Sequence, residues 1–130
     1  MVTELSKGKE IKIPGPDHPI AISPVEGTVR VTVSGRIVAE STRTLRLEEK
    51  GYPPAYYLPR NDADMSLLIR TTHSTYCPYK GDCTYYSIPL GGGRSEYAVW
   101  TYEKPYEAVA SIGGYLAFYP TRVDAIDLAS

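Results

Sequence analysis

"TVRVTVSGRIVAES", residues 28–41, decides the fold class. Val29, Val31 and Val33 alternate with polar residues, then Ser34-Gly35 interrupts, then a second extended run begins at Arg36. Side chains of a strand alternate between faces with period two, so two such runs around a Ser-Gly turn predict a β-hairpin. Outward from it the same period recurs. "TRTLRLEE" (42–49) sets Leu45 and Leu47 on one face, and "CTYYSIPL" (83–90), "SEYAVWTY" (95–102) and "YLAFYP" (115–120) are strand-like. "GGGR" (91–94) predicts a flexible turn joining residues 83–90 to 95–102 as a hairpin. "GYPPAYYLPR" (51–60) carries three prolines, which argue against a central strand there. "DMSLLIRTT" (64–72) suits a short helical turn or an extended segment. "KPYEAVASIGG" (104–114) predicts the one late amphipathic helix, with Pro105 in its first turn, Glu107 at its positive end and Gly113-Gly114 closing it. The expectation is a mainly β, α+β domain of compact antiparallel sheets.

The chain has 130 residues, the size of one domain, and that length buries a core without disulfide staples. Residues 1–17 are polar, hold Pro14 and Pro16, and predict an extended N-terminal arm before a single β-rich domain at 18–130. With 14 basic and 15 acidic residues the net charge is −1, which does not point to nucleic acid or an anionic membrane as partner. No apolar run approaches the ~20 residues that span a bilayer, and the first twenty residues lack the apolar stretch of a signal peptide. A cytoplasmic location is therefore expected, with Cys77 and Cys83 as free thiols. The composition holds 12 Tyr against one Phe and one Trp. Tyr suits strands, and it also suits cavity walls that need an apolar body with a polar tip.

The chemistry-bearing residues concentrate in "TTHSTYCPYKGDCTYY", residues 71–86. Pro78 and Gly81 account for a sharp turn, because Pro fixes one φ and Gly permits a positive one. The turn needs neither Cys77 nor Lys80. Cys77 reads as a thiolate favoured by the Lys80 cation, or as a small buried residue at a strand end. In an extended strand His73, Thr75 and Cys77 share a face, but His73 then lies about 13 Å from Cys77, too far for a dyad. Zinc wants four close N or S ligands, and His18, His73, Cys77 and Cys83 are the only His and Cys in the chain; no metal and no cofactor are expected. Asp62 and Asp64 offer two carboxylates for metal-assisted nucleotidyl transfer, but "GGGR" lacks the following helix start that cradles phosphate. Trp100 and Tyr102 share one face of a strand, and the hairpin brings Tyr85 or Tyr86 beside them as a flat wall for a ring.

Several stretches resemble the domain-of-unknown-function 427 family, which carries the catalogue label nucleotidyltransferase-like. They are "GRIVAES" (35–41), "AYYLPRNDADMSLL" (55–68), "HSTYCPYKGDCTYY" (73–86), "AVWTYEKPYEAVASIGGYLAFY" (98–119) and "VDAI" (123–126), together roughly residues 18–126. The resemblance implies a compact Mss4-like or β-tent fold of small bacterial and fungal proteins. It also implies that the turn holding Arg60 and Asp62 belongs with the Cys-Pro-Tyr-Lys-Gly loop. Arg60, His73, Thr75, Lys80, Tyr85, Trp100 and Tyr102 are then expected to line one cavity for a small anionic or heterocyclic ligand. Two alternatives stand beside that reading. One is an enzyme using Cys77 or the Arg60/Asp62/Lys80 set; the other is a protein-interaction module, for which a homodimer is open.

Overall fold

The computed structural model describes residues 9–129; residues 1–8 of the expected arm and Ser130 lie outside the described residues. In chain order the strands are β1 (Ile20–Pro24), β2 (Thr28–Val33), β3 (Arg36–Ser41), β4 (Leu45–Glu49), β5 (Ala55–Leu58), β6 (Ile69–Cys77), β7 (Gly81–Ser87), β8 (Val99–Thr101), β9 (Leu116–Phe118) and β10 (Ala125–Ala129). They form a seven-stranded sheet in the order β1-β4-β5-β9-β8-β7-β6 and a three-stranded sheet in the order β10-β2-β3. Every pairing is antiparallel. The chain is mostly β, as its alternation requires.

The hairpin at residues 28–41 is β2 and β3, with Val29, Val31 and Val33 buried against the large sheet. A bulge interrupts it: Val31 faces Ala39 but Thr32 faces Ile37, leaving Val38 as the extra residue. The bulge buries Val38 and Ala39 in succession and turns Ile37 out at 49 % exposure, which simple alternation does not predict.

Three elements differ from the sequence expectation. β5 is a central strand despite its prolines, since Pro53, Pro54 and Pro59 flank it and none lies within Ala55–Leu58. Its four residues keep every N–H that a two-sided ladder needs. The late helix is a kinked 3₁₀ segment, Glu107–Ile112, with Val109 at φ −126° and ψ 28°. Its amphipathic role survives, because Val109 and Ile112 are buried while Ala110 is exposed. Finally, "GGGR" lies in a 3₁₀ stretch, Pro89–Ser95, that makes the β7–β8 connection longer than a tight turn. β1 and β10, both sheet edges, had no distinctive signal.

The large sheet has two different faces. One packs on the small sheet through Leu58, Tyr86, Val99, Leu116 and Phe118. The other carries Leu47, Tyr57, Cys83, Tyr85, Tyr102 and Ala117, roofed at one side by Val109 and Ile112. Tyr85 and Tyr86 belong to different faces because they are consecutive in one strand.

Candidate functional site

The second face opens into a cavity of about 860 Å³. Strand register explains its wall. Tyr85 is paired with Trp100, Trp100 with Ala117, and Ala117 with Tyr57, so these four project from the same face of four adjacent strands. Thr75, Cys77, Tyr102 and Tyr119 follow at steps of two, and all four line the cavity. β5 and β9 are paired only at Tyr57–Ala117 and Leu58–Leu116. Tyr56, Phe118 and Ile126 also line the cavity.

The aromatic groups hold one another at fixed angles. Trp100 meets Tyr57 edge-on at 6.1 Å and 85°, and meets Tyr119 at 4.4 Å and 42°. Trp100 Nε1 donates to Tyr57 Oη at 3.0 Å, and the hydroxyls of Thr75 and Tyr85 are 2.9 Å apart. Burial pushes the Tyr57, Tyr85 and Tyr102 phenols above their ordinary value, so all three are neutral at physiological pH.

One end of the cavity is ionic. Lys80 Nζ donates to Glu49 Oε1 at 2.5 Å, and both side chains are nearly buried, at 9 % and 8 % exposure. His18 Nε2 lies 2.7 Å from Glu49 Oε2, and its ring stacks on Tyr79 at 4.2 Å. Burial alone raises the Glu49 carboxyl, but the hydrogen bonds and charges of Lys80 and His18 outweigh it and hold the carboxyl below its ordinary value. An ionised carboxylate only accepts, so His18 Nε2 carries the hydrogen between them. The turn that delivers Lys80 is pinned by Lys80 N–H to Cys77 O at 3.2 Å and by Tyr106 N–H to Lys80 O at 3.0 Å. Gly81 closes it at φ 109°, a conformation that only glycine adopts readily.

Of the expected ligand-binding set, Thr75, Lys80, Tyr85, Trp100 and Tyr102 line this cavity, as does Cys77. Arg60, His73 and Asp62 are outside it. Arg60 donates to Tyr86 Oη at 3.0 Å and lies 3.6 Å from Glu103, and Tyr86 packs on the opposite face of the sheet. Asp62 is committed to β3: it accepts from Ser41 Oγ at 2.6 Å and from Arg43 at 3.2 Å. The Arg60/Asp62/Lys80 set therefore does not converge. His73 is not among the residues lining the cavity, and it lies where the β6–β7 register shifts, between Arg70 and Ser74. Its ring stacks on Tyr97 and meets Tyr85 at a tilt of 48°, each at 4.6 Å, and Tyr97, at a positive φ of 56°, donates its backbone N–H to Ser87 Oγ.

Tyr57, Glu49 and Tyr119 line the site and were not singled out from sequence, while His18, weighed there only as a zinc ligand, reaches it through Glu49. For Glu49 a signal exists, since Leu45, Leu47 and Glu49 share parity and the carboxylate continues an apolar face. Tyr57 was hidden by its flanking prolines. Among the described residues no three His, Cys, Asp or Glu side chains gather to hold a metal ion, and both cysteines are free. No helix of the described residues is long and apolar enough to cross a membrane.

No curated protein matches the chain. A family model described as a domain of unknown function (DUF427) matches residues 21–128, and the transferase wording attached to it is a catalogue name. That match spans most of the 130 residues, and the chain belongs to the DUF427 family.

Proposed function

We propose that the protein binds a small, flat, ring-bearing molecule in the cavity of the large sheet. The observation that carries this reading is the wall of Tyr57, Tyr85, Trp100, Tyr102 and Tyr119 around a space of about 860 Å³. Cavities of roughly 300–1,000 Å³ with apolar walls and a few convergent polar groups are the usual form of a small-molecule site. Aromatic rings so placed receive a ring by offset or edge contacts. Lys80 already has Glu49 as its counter-ion, so the reading favours a neutral ring compound such as a heterocycle over an anion. Two unpaired thiols support a reducing, cytoplasmic setting.

Trp100 is the only tryptophan, so its emission reports on the cavity alone. The test is a panel of purine and pyrimidine bases, their nucleosides and aromatic carboxylates, followed by thermal shift and Trp100 fluorescence. At about 100 times its Kd a ligand adds about 2.7 kcal/mol to stability. A neutral heterocycle class raising the melting temperature and altering Trp100 emission together is the expected result. If millimolar levels of the whole panel change neither, the reading is wrong.

A second reading has one observation in its favour. The Cys77 thiol opens on the same cavity, two strand positions from Thr75. A bound ring carrying an electrophilic carbon would then stand within reach of a nucleophile. Covalent capture of Cys77 by such a ligand, seen as an added mass on that peptide, is its test.

A further inference from the structure

The polarity of the hydrogen bond between Trp100 and Tyr57 carries information about the ligand. The indole N–H only donates, so the 3.0 Å contact has one possible direction and Tyr57 Oη is the acceptor. Tyr57 keeps its own hydrogen, because burial holds the phenol neutral. That hydrogen must point somewhere other than Trp100. Among the described residues Tyr57 Oη has no acceptor, the side chain is 1 % exposed, and it lines the cavity. A buried donor with no acceptor is costly and is retained where something supplies one. Accepting from Trp100 also makes Tyr57 the better donor, since hydrogen bonds in a chain polarise one another.

The other polar groups agree. Lys80 is donor-only and spends one hydrogen on Glu49. The Glu49 oxygens are engaged by Lys80 and His18, leaving no uncommitted carboxylate for a cation. The Thr75 and Tyr85 hydroxyls share one hydrogen bond, so whichever accepts keeps a hydrogen of its own. The cavity therefore presents uncommitted donors inside an aromatic wall.

We infer that the ligand is a planar ring compound bearing a carbonyl oxygen, and that the Tyr57 hydroxyl donates to that oxygen. This deepens the ring-binding function proposed above and rests on it. The chemistry does not distinguish a cyclic ketone, an oxo-heterocycle or a quinone, all of which present the same acceptor in the plane of the ring.

The test uses two probes of the same skeleton, 1-indanone and indane, which differ by one carbonyl. Each is titrated into the full-length ¹⁵N-labelled protein while the resonance of its one indole N–H is followed. Both probes are expected to move that resonance, with half-saturation by 1-indanone at about tenfold lower concentration, the worth of one buried hydrogen bond. Tyr57→Phe is expected to remove the tenfold preference, so that 1-indanone and indane half-saturate the variant at the same concentration. Equal half-saturation of the two probes in the wild type overturns the inference and leaves ring binding standing. A folded Tyr57→Phe protein that keeps the preference also overturns it, because the donor is then another group. If neither probe moves the resonance, the ring-binding function itself fails. Should Tyr57→Phe not fold, its collapsed spectrum shows this, and the wild-type comparison of the two probes decides alone.

Discussion

Glu49 is the residue on which the ionic end of the cavity turns. Removing its charge leaves Lys80 buried without a counter-ion, and breaking a buried pair from one side costs about 3 kcal/mol. Glu49→Gln should lower the melting temperature by about 10 °C near pH 6. The sign of the pH dependence follows from the lowered carboxyl. A group whose folded pKa lies below its unfolded one contributes fully above the unfolded value, about 4.3 for Glu, and loses that contribution as pH falls through the folded value. The gap between wild type and Glu49→Gln, measured by thermal melts from about pH 7 to 3, should therefore be widest above pH 5 and narrow toward pH 3. A gap that stays constant would show that the ionised carboxylate is not what stabilises the fold. The two thiols should separate just as clearly. Cys83 is 1 % exposed and burial raises its thiol, while Cys77 is half-buried and opens on the cavity. Iodoacetamide at about pH 7.5 should label Cys77 at least about tenfold faster than Cys83, read by peptide mass. The reverse order would mean that the cavity does not admit small molecules.

At the scale of elements, two local irregularities bear on which side chains reach the site. His73 lies in the β6 register shift, outside the cavity lining, with its ring against Tyr85 and Tyr97. The bulge in β3 exposes the Val38 carbonyl to Asp64 N–H at 2.8 Å and so docks the Arg60–Asp62 turn on the small-sheet side. The glycine-rich connection is a packing device. A Cβ on Gly91 would stand 1.8 Å from Ser95 Oγ and 3.1 Å from a Val33 methyl, whereas a Cβ on Gly93 would meet nothing within 4 Å. Ser95 cannot readily move, since its hydroxyl donates to Arg122 O at 2.7 Å. Gly91→Ala should cost about 1–3 kcal/mol in urea unfolding, and Gly93→Ala should stay within about 0.5 kcal/mol of wild type. Equal effects would indicate that the stretch is a loose turn after all.

At the scale of the molecule, one sheet serves two purposes. Its inner face makes the core with the small sheet, and its outer face, freed from that duty, carries the aromatic wall. Apolar burial between the sheets supports this arrangement, and among the described residues no three His, Cys, Asp or Glu side chains gather. Protein prepared without added metal should carry well under one zinc per chain by elemental analysis, and chelator should leave its melting temperature unchanged. About one zinc per chain would contradict this.

What the sequence determined by itself was the periodicity. Alternating Val, Leu and Tyr allow only half-buried strands, and so the β class, the 28–41 hairpin and the shared face of Trp100 and Tyr102 were all legible. Tyr85 beside Trp100 followed from the hairpin once its register was known. The tertiary structure alone decided the rest. Whether β5 is central depends on which strands flank it, and its prolines speak only about their own N–H groups. Whether Arg60 and Asp62 meet Lys80 depends on which face of the sheet their turn docks against, and that docking runs through the Val38 carbonyl at the β3 bulge. The His18–Glu49–Lys80 chain joins residues separated by 31 positions at each step, and no local pattern encodes a pairing at that distance. Period two is a property of neighbouring residues; convergence on a cavity is a property of strand order, and strand order is set by long-range burial.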